Sequence, residues 1–162
     1  MIDDSSQVLA IATVPVAFIL PLRHAVLRPG LPAESARFGI DDLPATVHLA
    51  GMLGQQVVCC ATFTPMPYAE RPACQLRGMA TAPEHRGRGF GASVLRAGER
   101  ICLAEAATVL LWCNARIGAV PFYQGQGWQI ASAVFDIAGV GPHHVMHKLV
   151  SRAVSSEMPD AR

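Results

Sequence analysis

The chain predicts an α/β protein built on one mixed sheet with helices packed against it. Three observations carry this. Apolar strand-like runs follow one another from Thr46 to Thr81 with short turns between them, the pattern of antiparallel neighbours. The stretch from Ala73 to Cys113 reads strand, helix, strand, which calls for a local parallel pair with a right-handed crossover. And 162 residues, 51% hydrophobic and 15% charged, suffice for one well-buried core.

The elements follow in order. Val8 to Val14 reads as a short first strand. Pro15 suits the first turn of a helix with Thr13 as a cap, and Phe18, Ile19, Leu22, Val26 and Leu27 form its apolar stripe up to Pro29-Gly30. Pro21 sits inside that helix and implies a kink or a later start. Residues 28–45 are the most polar stretch and read as a loop with one helical turn. Thr46 to Leu53 and Gln55 to Thr64 make two strands around Gly54, and Ala73 to Thr81 a third beyond the proline-rich loop at Pro65, Pro67 and Pro72. Gly89 to Ala107 is the clearest helix, with Val94, Leu95, Gly98, Ile101 and Cys102 on one face and Arg96, Glu99 and Arg100 on the other. Thr108 to Cys113 reads as a buried strand, Ala115 to Gln124 as a short helix stopped by Gly125 and Gly127. Trp128 to Ile137 and His143 to Val150 close the sheet, and Ser151 to Arg162 reads as a frayed tail.

Several functions are excluded or disfavoured. The net charge of +1 provides no basic field for nucleic acid. The apolar run from Val8 to Leu22 is broken by two prolines and is short for a bilayer, and the acidic start Met-Ile-Asp-Asp lacks the positive charge of a signal peptide, so the expectation is a cytoplasmic protein with no membrane contact. Cys59, Cys60, Cys74, Cys102 and Cys113 form no C-x-x-C pair and read as buried free thiols. His143 and His147 would share a strand face at about 13 Å, too far for one ion with Zn–N bonds of about 2 Å, so no metal site is expected.

The segment that carries chemistry is Met79-Ala-Thr-Ala-Pro-Glu-His-Arg-Gly-Arg-Gly-Phe-Gly-Ala-Ser93. A strand enters a glycine-rich turn, and the turn opens the best helix. Glycines let a ligand approach the backbone, and the first helical turn offers unpaired N–H groups and the positive dipole end, which together suit a pyrophosphate. Arg86 and Arg88 add charge at its mouth. The spacing is not that of a dinucleotide-binding turn, and Lys148, the only lysine, is not placed for a P-loop.

Arg86-x-x-Gly89-x-Gly91 resembles the acetyl-CoA signature of the GNAT N-acetyltransferase superfamily. Leu76 to Pro83 and Leu111 to Arg116 resemble the strands that flank that signature, and Ala119-Val-Pro-Phe-Tyr-Gln-Gly-Gln-Gly-Trp128 is similar to the superfamily's A-x-x-F-Y-x-x-x-G-F segment. The likeness covers residues 73 to 150 by motif and the N-terminal half by element order. It implies a single domain over residues 1–150, with a mostly antiparallel sheet whose central parallel pair splays apart to admit acetyl-CoA.

The resemblance further implies residue roles. Backbone groups of Met79, Ala80 and Thr81 would meet the pantetheine arm. Arg86 and the backbone of Gly87, Arg88, Gly89, Phe90, Gly91 and Ala92 would hold the pyrophosphate. Asn114 would stand at the mouth of the second strand. An N–H near Ala80 would stabilise the carbonyl oxygen, and Tyr123 would protonate the leaving thiolate. Trp128 departs from the usual phenylalanine and is expected to alter packing only. A general base is not singled out: Glu34, His48, Glu70 and Asp136 are candidates, each read as a surface or hairpin residue, with a water chain as the alternative. Arg23 and Arg28 read as solvated surface that borders the acceptor pocket. The implied activity is acetyl transfer from acetyl-CoA to a small-molecule or peptide amine in a ternary complex, with homodimers by analogy. The rival readings are a non-catalytic acyl-CoA sensor and a nucleotide-binding module.

Overall fold

In the computed structural model, residues 7–104 and 106–152 are described. Eight strands form one sheet: β1 (Ala10–Thr13), β2 (Val47–Leu53), β3 (Gln56–Pro65), β4 (Cys74–Thr81), β5 (Thr108–Arg116), β6 (Gln129–Ile130), β7 (Phe135–Ile137) and β8 (Gly141–Ser151). Their order is β1-β2-β3-β4-β5-β8-β6, with β7 also on β8. Among the described residues only β4 and β5 run parallel; every other pairing is antiparallel. Helices α1 (Leu20–Leu27), α2 (Phe90–Cys102) and α3 (Val120–Gly125) complete the fold.

The two-residue period of the strands builds two apolar layers from neighbouring residues. Leu49, Cys59, Ala61, Phe63 and Leu111 pack with Val94 and Leu95 of α2 and with Tyr123 and Trp128. Ala50, Cys60 and Ala80 pack with Ile19 and, at the edge, Leu22 and Val26 of α1 on the other face. Helix α2 lies against β3 at Gly98, where a β-carbon would overlap the Phe63 ring. No helix among the described residues is long and apolar enough to cross a membrane.

The boundaries differ from expectation in instructive ways. The first helix is broken: Val16–Phe18 form a 3-10 turn and the α-helix starts at Leu20, with Pro21 in its first turn where its missing N–H costs nothing. The loop over 28–45 contains two 3-10 turns, Ala33–Ala36 and Gly39–Asp42. Helix α2 ends at Cys102, not Ala107; the Leu103 N–H closes it on Glu99 O. β5 continues through Asn114 and Ala115 to Arg116, because β8 pairs with it along its whole length.

The strand expected over Trp128–Ile137 is two strands. Between Ile130↔Met146 and Phe135↔His143 it carries two residues more than β8 does. Ser132 causes the break: its hydroxyl accepts the Val145 N–H at 2.8 Å, replacing a backbone partner. Ser151, read as part of a frayed tail, ends β8 opposite Thr108; residues 153–162 of that tail lie outside the described residues.

Candidate active site

The site starts from a bulge. β4 carries one more residue than β3 between the pairs Cys60↔Ala80 and Thr62↔Arg77, and within that stretch Gly78 sits at φ +60°. A β-carbon at Gly78 would stand 2.6 Å from Arg23 Nε, so glycine is needed there for space as well as for conformation. The bulge bends β4 away from β5. The parallel pair therefore holds only at Cys74↔Leu111 and Gln75↔Trp112, and from Leu76 and Cys113 onward the strands part. A cavity of about 210 Å³ occupies the gap, lined by Gly78 and Met79 on one side and by Cys113, Asn114 and Ala115 on the other. Tyr123, Arg28, Phe38, Arg77, Arg116 and His143 also reach it.

Beyond the gap, β4 leads into the glycine-rich turn. Gly87 and Gly89 adopt φ of +76° and +80°, and Gly89 caps α2 with no side-chain bond to it. The first helical bond runs from Ser93 N–H to Gly89 O at 3.1 Å. The N–H groups of Phe90, Gly91 and Ala92 thus have no acceptor within the helix. Arg86 is exposed beside them. Arg88 lies with its guanidinium 4.7 Å from the Phe90 ring centre and donates to His85 Nδ1 at 3.0 Å. This donor set, cationic and open above two glycines whose β-carbon positions are empty space, fits a pyrophosphate.

Along β4, Ala80 stands opposite Cys60, and the Ala82 N–H donates to Val58 O at 2.8 Å. The alternation of an antiparallel ladder then turns the Ala80 N–H toward β3 and that of Thr81 toward the gap. The Ala80 N–H, expected as an oxyanion donor, thus faces β3 and not the gap, so a donor on β4 would have to come from a neighbouring residue. Met79 also meets Tyr123, whose hydroxyl donates to Met79 Sδ at 3.7 Å. Burial raises the Tyr123 pKa well above its ordinary value, and Cys113 and Cys59 add to the effect. The phenol therefore stays protonated through neutral pH. Cys113, also at the gap, is pushed up to about 12 by burial and is an inert thiol.

Of the base candidates, Glu34, Glu70 and Asp136 are exposed and do not line the cavity. His48 is buried but committed elsewhere. Its Nδ1 lies 2.9 Å from Thr62 Oγ1 and its Nε2 3.2 Å from Asp41 O. The Asp41 carbonyl only accepts, so Nε2 of the neutral ring donates to it and Nδ1 accepts from the Thr62 hydroxyl, whose oxygen in turn accepts from Arg23 at 2.6 Å. His143 is the histidine that reaches the gap. It is buried, stacked on Phe135 with ring centres 6.0 Å apart, and its Nδ1 lies 2.7 Å from the Gly141 carbonyl. A carbonyl only accepts, so Nδ1 carries the proton and Nε2 is left as the acceptor. The sequence offered a cue in Gly141-Pro142-His143, the three residues that open the last strand. Among the described residues, no group of three or more His, Cys, Asp or Glu could hold a metal.

Two surface assignments are overturned. Arg23 is fully buried: Nη1 donates to Asp41 Oδ2 at 2.8 Å and to Ala36 O at 2.9 Å, and Nη2 to Asp41 Oδ1 at 3.2 Å. The Phe38 N–H donates to the same carboxylate at 2.7 Å, so this ion pair fastens the loop after α1 to the sheet beside the gap. Glu99, placed on the polar face of α2, is also buried. It accepts from Trp128 Nε1 at 3.2 Å and pairs with Lys148 at 3.1 Å. Trp128 therefore supplies a hydrogen bond that phenylalanine would not.

Known proteins resemble this chain in sequence and in fold. Residues 20–128 match the model of the acetyltransferase (GNAT) family. The chain is 32% identical over 143 residues to the uncharacterized N-acetyltransferase YitI of Bacillus subtilis (strain 168), covering 86% of this chain and 95% of that one. Among solved structures, Escherichia coli ElaA shares the fold at a TM-score of 0.73 and 17% identity, over 87% of this chain and 99% of the other. An aminoglycoside 6'-N-acetyltransferase complexed with coenzyme A does so at 0.67 and 15%, over 90% and 99%.

Proposed function

The chain belongs to the GNAT acetyltransferase family and is an acyltransferase; from that premise we propose that it moves an acetyl group from acetyl-CoA to a primary amine, both held at once in the gap between β4 and β5. The observation that carries the proposal is the parting of these strands beside a buried, protonated tyrosine, with the glycine turn at the head of α2 beyond it.

Acetyl-CoA supplies an activated thioester. The turn from Gly87 to Ala92, with Arg86 and Arg88, holds its pyrophosphate; Met79, Thr81 and Asn114 meet the pantetheine arm. A backbone N–H at the bulge beside Ala80 carries the charge that builds on the carbonyl oxygen. The amine nitrogen bonds to the carbonyl carbon as the C–S bond breaks. His143 Nε2 takes the proton from the nitrogen, and the Tyr123 hydroxyl gives one to the departing sulfur. Positioning both substrates in one gap lowers the barrier further.

The test is thiol release from acetyl-CoA across a panel of amines. Wild-type turnover is expected to fall about 10²- to 10⁴-fold in Tyr123→Phe with acetyl-CoA affinity retained. Unchanged kcat in that variant would remove Tyr123 from the chemistry. Tight CoA binding without turnover of any amine would favour the sensor reading.

A further inference from the structure

The cavity that the proposed transfer uses is unusually cationic for a protein with a net charge of +1. Arg28, Arg77 and Arg116 all line it, and no aspartate or glutamate does. They come from different places: Arg28 from the end of α1, Arg77 from the bulged strand β4, Arg116 from the end of β5. Phe38 gathers two of them, with the Arg77 guanidinium 4.9 Å and that of Arg28 5.8 Å from its ring centre; Arg116 reaches the same cavity from β5.

The nearby carboxylate does not neutralise them. Asp41 is committed on both oxygens to Arg23 and also accepts the Phe38 N–H. Among the described residues, the Arg77 side chain makes no hydrogen bond or ion pair, while those of Arg116 and Arg28 reach only the Leu27 carbonyl, at 3.0 and 3.5 Å. Burial holds the Arg77 guanidinium below its usual range; Asp41 opposes this, and Arg23 and Arg28 reinforce it. Arg116 is lowered by burial and by Arg28. Guanidinium groups remain charged regardless. Like charges converging in a half-buried cavity are costly unless an anion enters.

We propose that Arg28, Arg77 and Arg116 form an anion subsite, so that the acceptor is a small amine that also carries an oxyanion, a carboxylate or a phosphate. The proposal rests on the acetyl-transfer reading and narrows its acceptor. The guanidinium fork matches a planar carboxylate or a phosphate face. A cavity of about 210 Å³ that must also admit the acetyl end of the donor leaves room for a small acceptor only. Polyamines and other polycations are excluded, because they would meet positive charge with no carboxylate to receive them. The same field favours the neutral form of the attacking amine, which is the nucleophile, and leaves less for His143 to do.

The experiment compares matched acceptors on the wild type: α- and ω-amino acids, the corresponding aminoalkylphosphonates, and the alkylamines that lack the acid. The expected result is a kcat/KM at least about tenfold higher for the oxyanion-bearing member of each set, the size of one charge-assisted bond. Carboxylate against phosphonate decides the source of the oxyanion. That advantage is expected to collapse toward one in Arg77→Ala and to persist in Arg100→Ala, an exposed arginine on α2. Melting temperature in saturating CoA gives a second readout: amino acids or phosphonates should stabilise the wild type and not Arg77→Ala. Equal or better use of plain alkylamines, or no stabilisation by any oxyanion-bearing member, overturns the proposal. So does a loss of CoA affinity in Arg77→Ala, which would assign the arginines to the phosphates of CoA. Failure of acetyl-CoA itself to bind the wild type would instead strike the acetyl-transfer reading.

Discussion

Replacing Asp41 by alanine isolates the device that holds the loop after α1 against the sheet. Both partners of the Arg23–Asp41 pair have fully buried side chains, with contacts of 2.8 and 3.2 Å. Removing the carboxylate leaves a buried guanidinium charge with Ala36 O and Thr62 Oγ1 as hydrogen-bond acceptors and the Phe38 ring 4.4 Å away, and it frees the Phe38 N–H. Stranding one partner of a buried pair costs about 3–5 kcal/mol. In a chain this long that lowers the melting temperature by roughly 6–20 °C. Equilibrium urea unfolding, followed by tryptophan fluorescence, reads it directly. Two controls fix the interpretation. Asp42→Ala breaks the exposed Arg37–Asp42 pair, whose side chains are 46% and 71% accessible, and should change stability by no more than about 0.5 kcal/mol. In an Arg23→Met background, Asp41→Ala should cost far less than in the wild type, since the stranded charge is gone. A loss below about 1 kcal/mol in Asp41→Ala alone would mean that Arg23 reaches water, and the reasoning would fail.

Three further outcomes follow from the packing. Gly98→Ala should destabilise by about 1–3 kcal/mol in urea despite its better helix propensity, because the new methyl overlaps the Phe63 ring; a stabilised variant would place α2 farther from β3. Trp128→Phe should cost about 1–3 kcal/mol by taking a donor from buried Glu99, whereas a neutral result would show the indole N–H to be dispensable. Burial raises the Cys60 and Cys113 thiols from 9.0 to about 12. Between those values the unfolded chain releases protons that the folded one keeps, so stability is full below pH 9 and falls as pH rises. Each thiol removes about 1.4 kcal/mol by pH 10. Urea melts at pH 8 and pH 10 should show this decline, and Cys113→Ala should reduce it by about 1.4 kcal/mol while the Cys60 share remains.

What the sequence made legible is what local chemistry controls. The glycine turn, the strand before it and the buried Val94, Leu95 and Gly98 of α2 are set by residues adjacent in the chain and stand where expected, whereas Ile101 of the same apolar stripe is exposed. Less legible was anything assembled across the fold. Arg23 sits on a short helix where an arginine ordinarily faces water, and its partner Asp41 lies 18 residues on, in a loop with no periodicity to betray it. His143 attracted attention as part of a histidine cluster, but its place in the cavity follows from the pairing of β8 with β5, opposite Arg116. Glu99 has charged neighbours on α2 and became a core acceptor only because Trp128 and Lys148 converge on it. The division of β6 from β7 turned on one serine hydroxyl competing with a backbone partner. In each case a polar side chain found a partner distant in sequence.

The central claim is that the gap and the turn at Gly89 hold acetyl-CoA, and calorimetric titration tests it most directly. Wild type and Gly89→Glu are titrated with acetyl-CoA, CoA, NAD and ATP. The glutamate would bring negative charge and a strained φ of +80° to the phosphate cradle. Micromolar binding of acetyl-CoA and CoA to the wild type is expected, lost in Gly89→Glu, with NAD and ATP silent. Absence of CoA binding, or binding of NAD or ATP in its place, would contradict it.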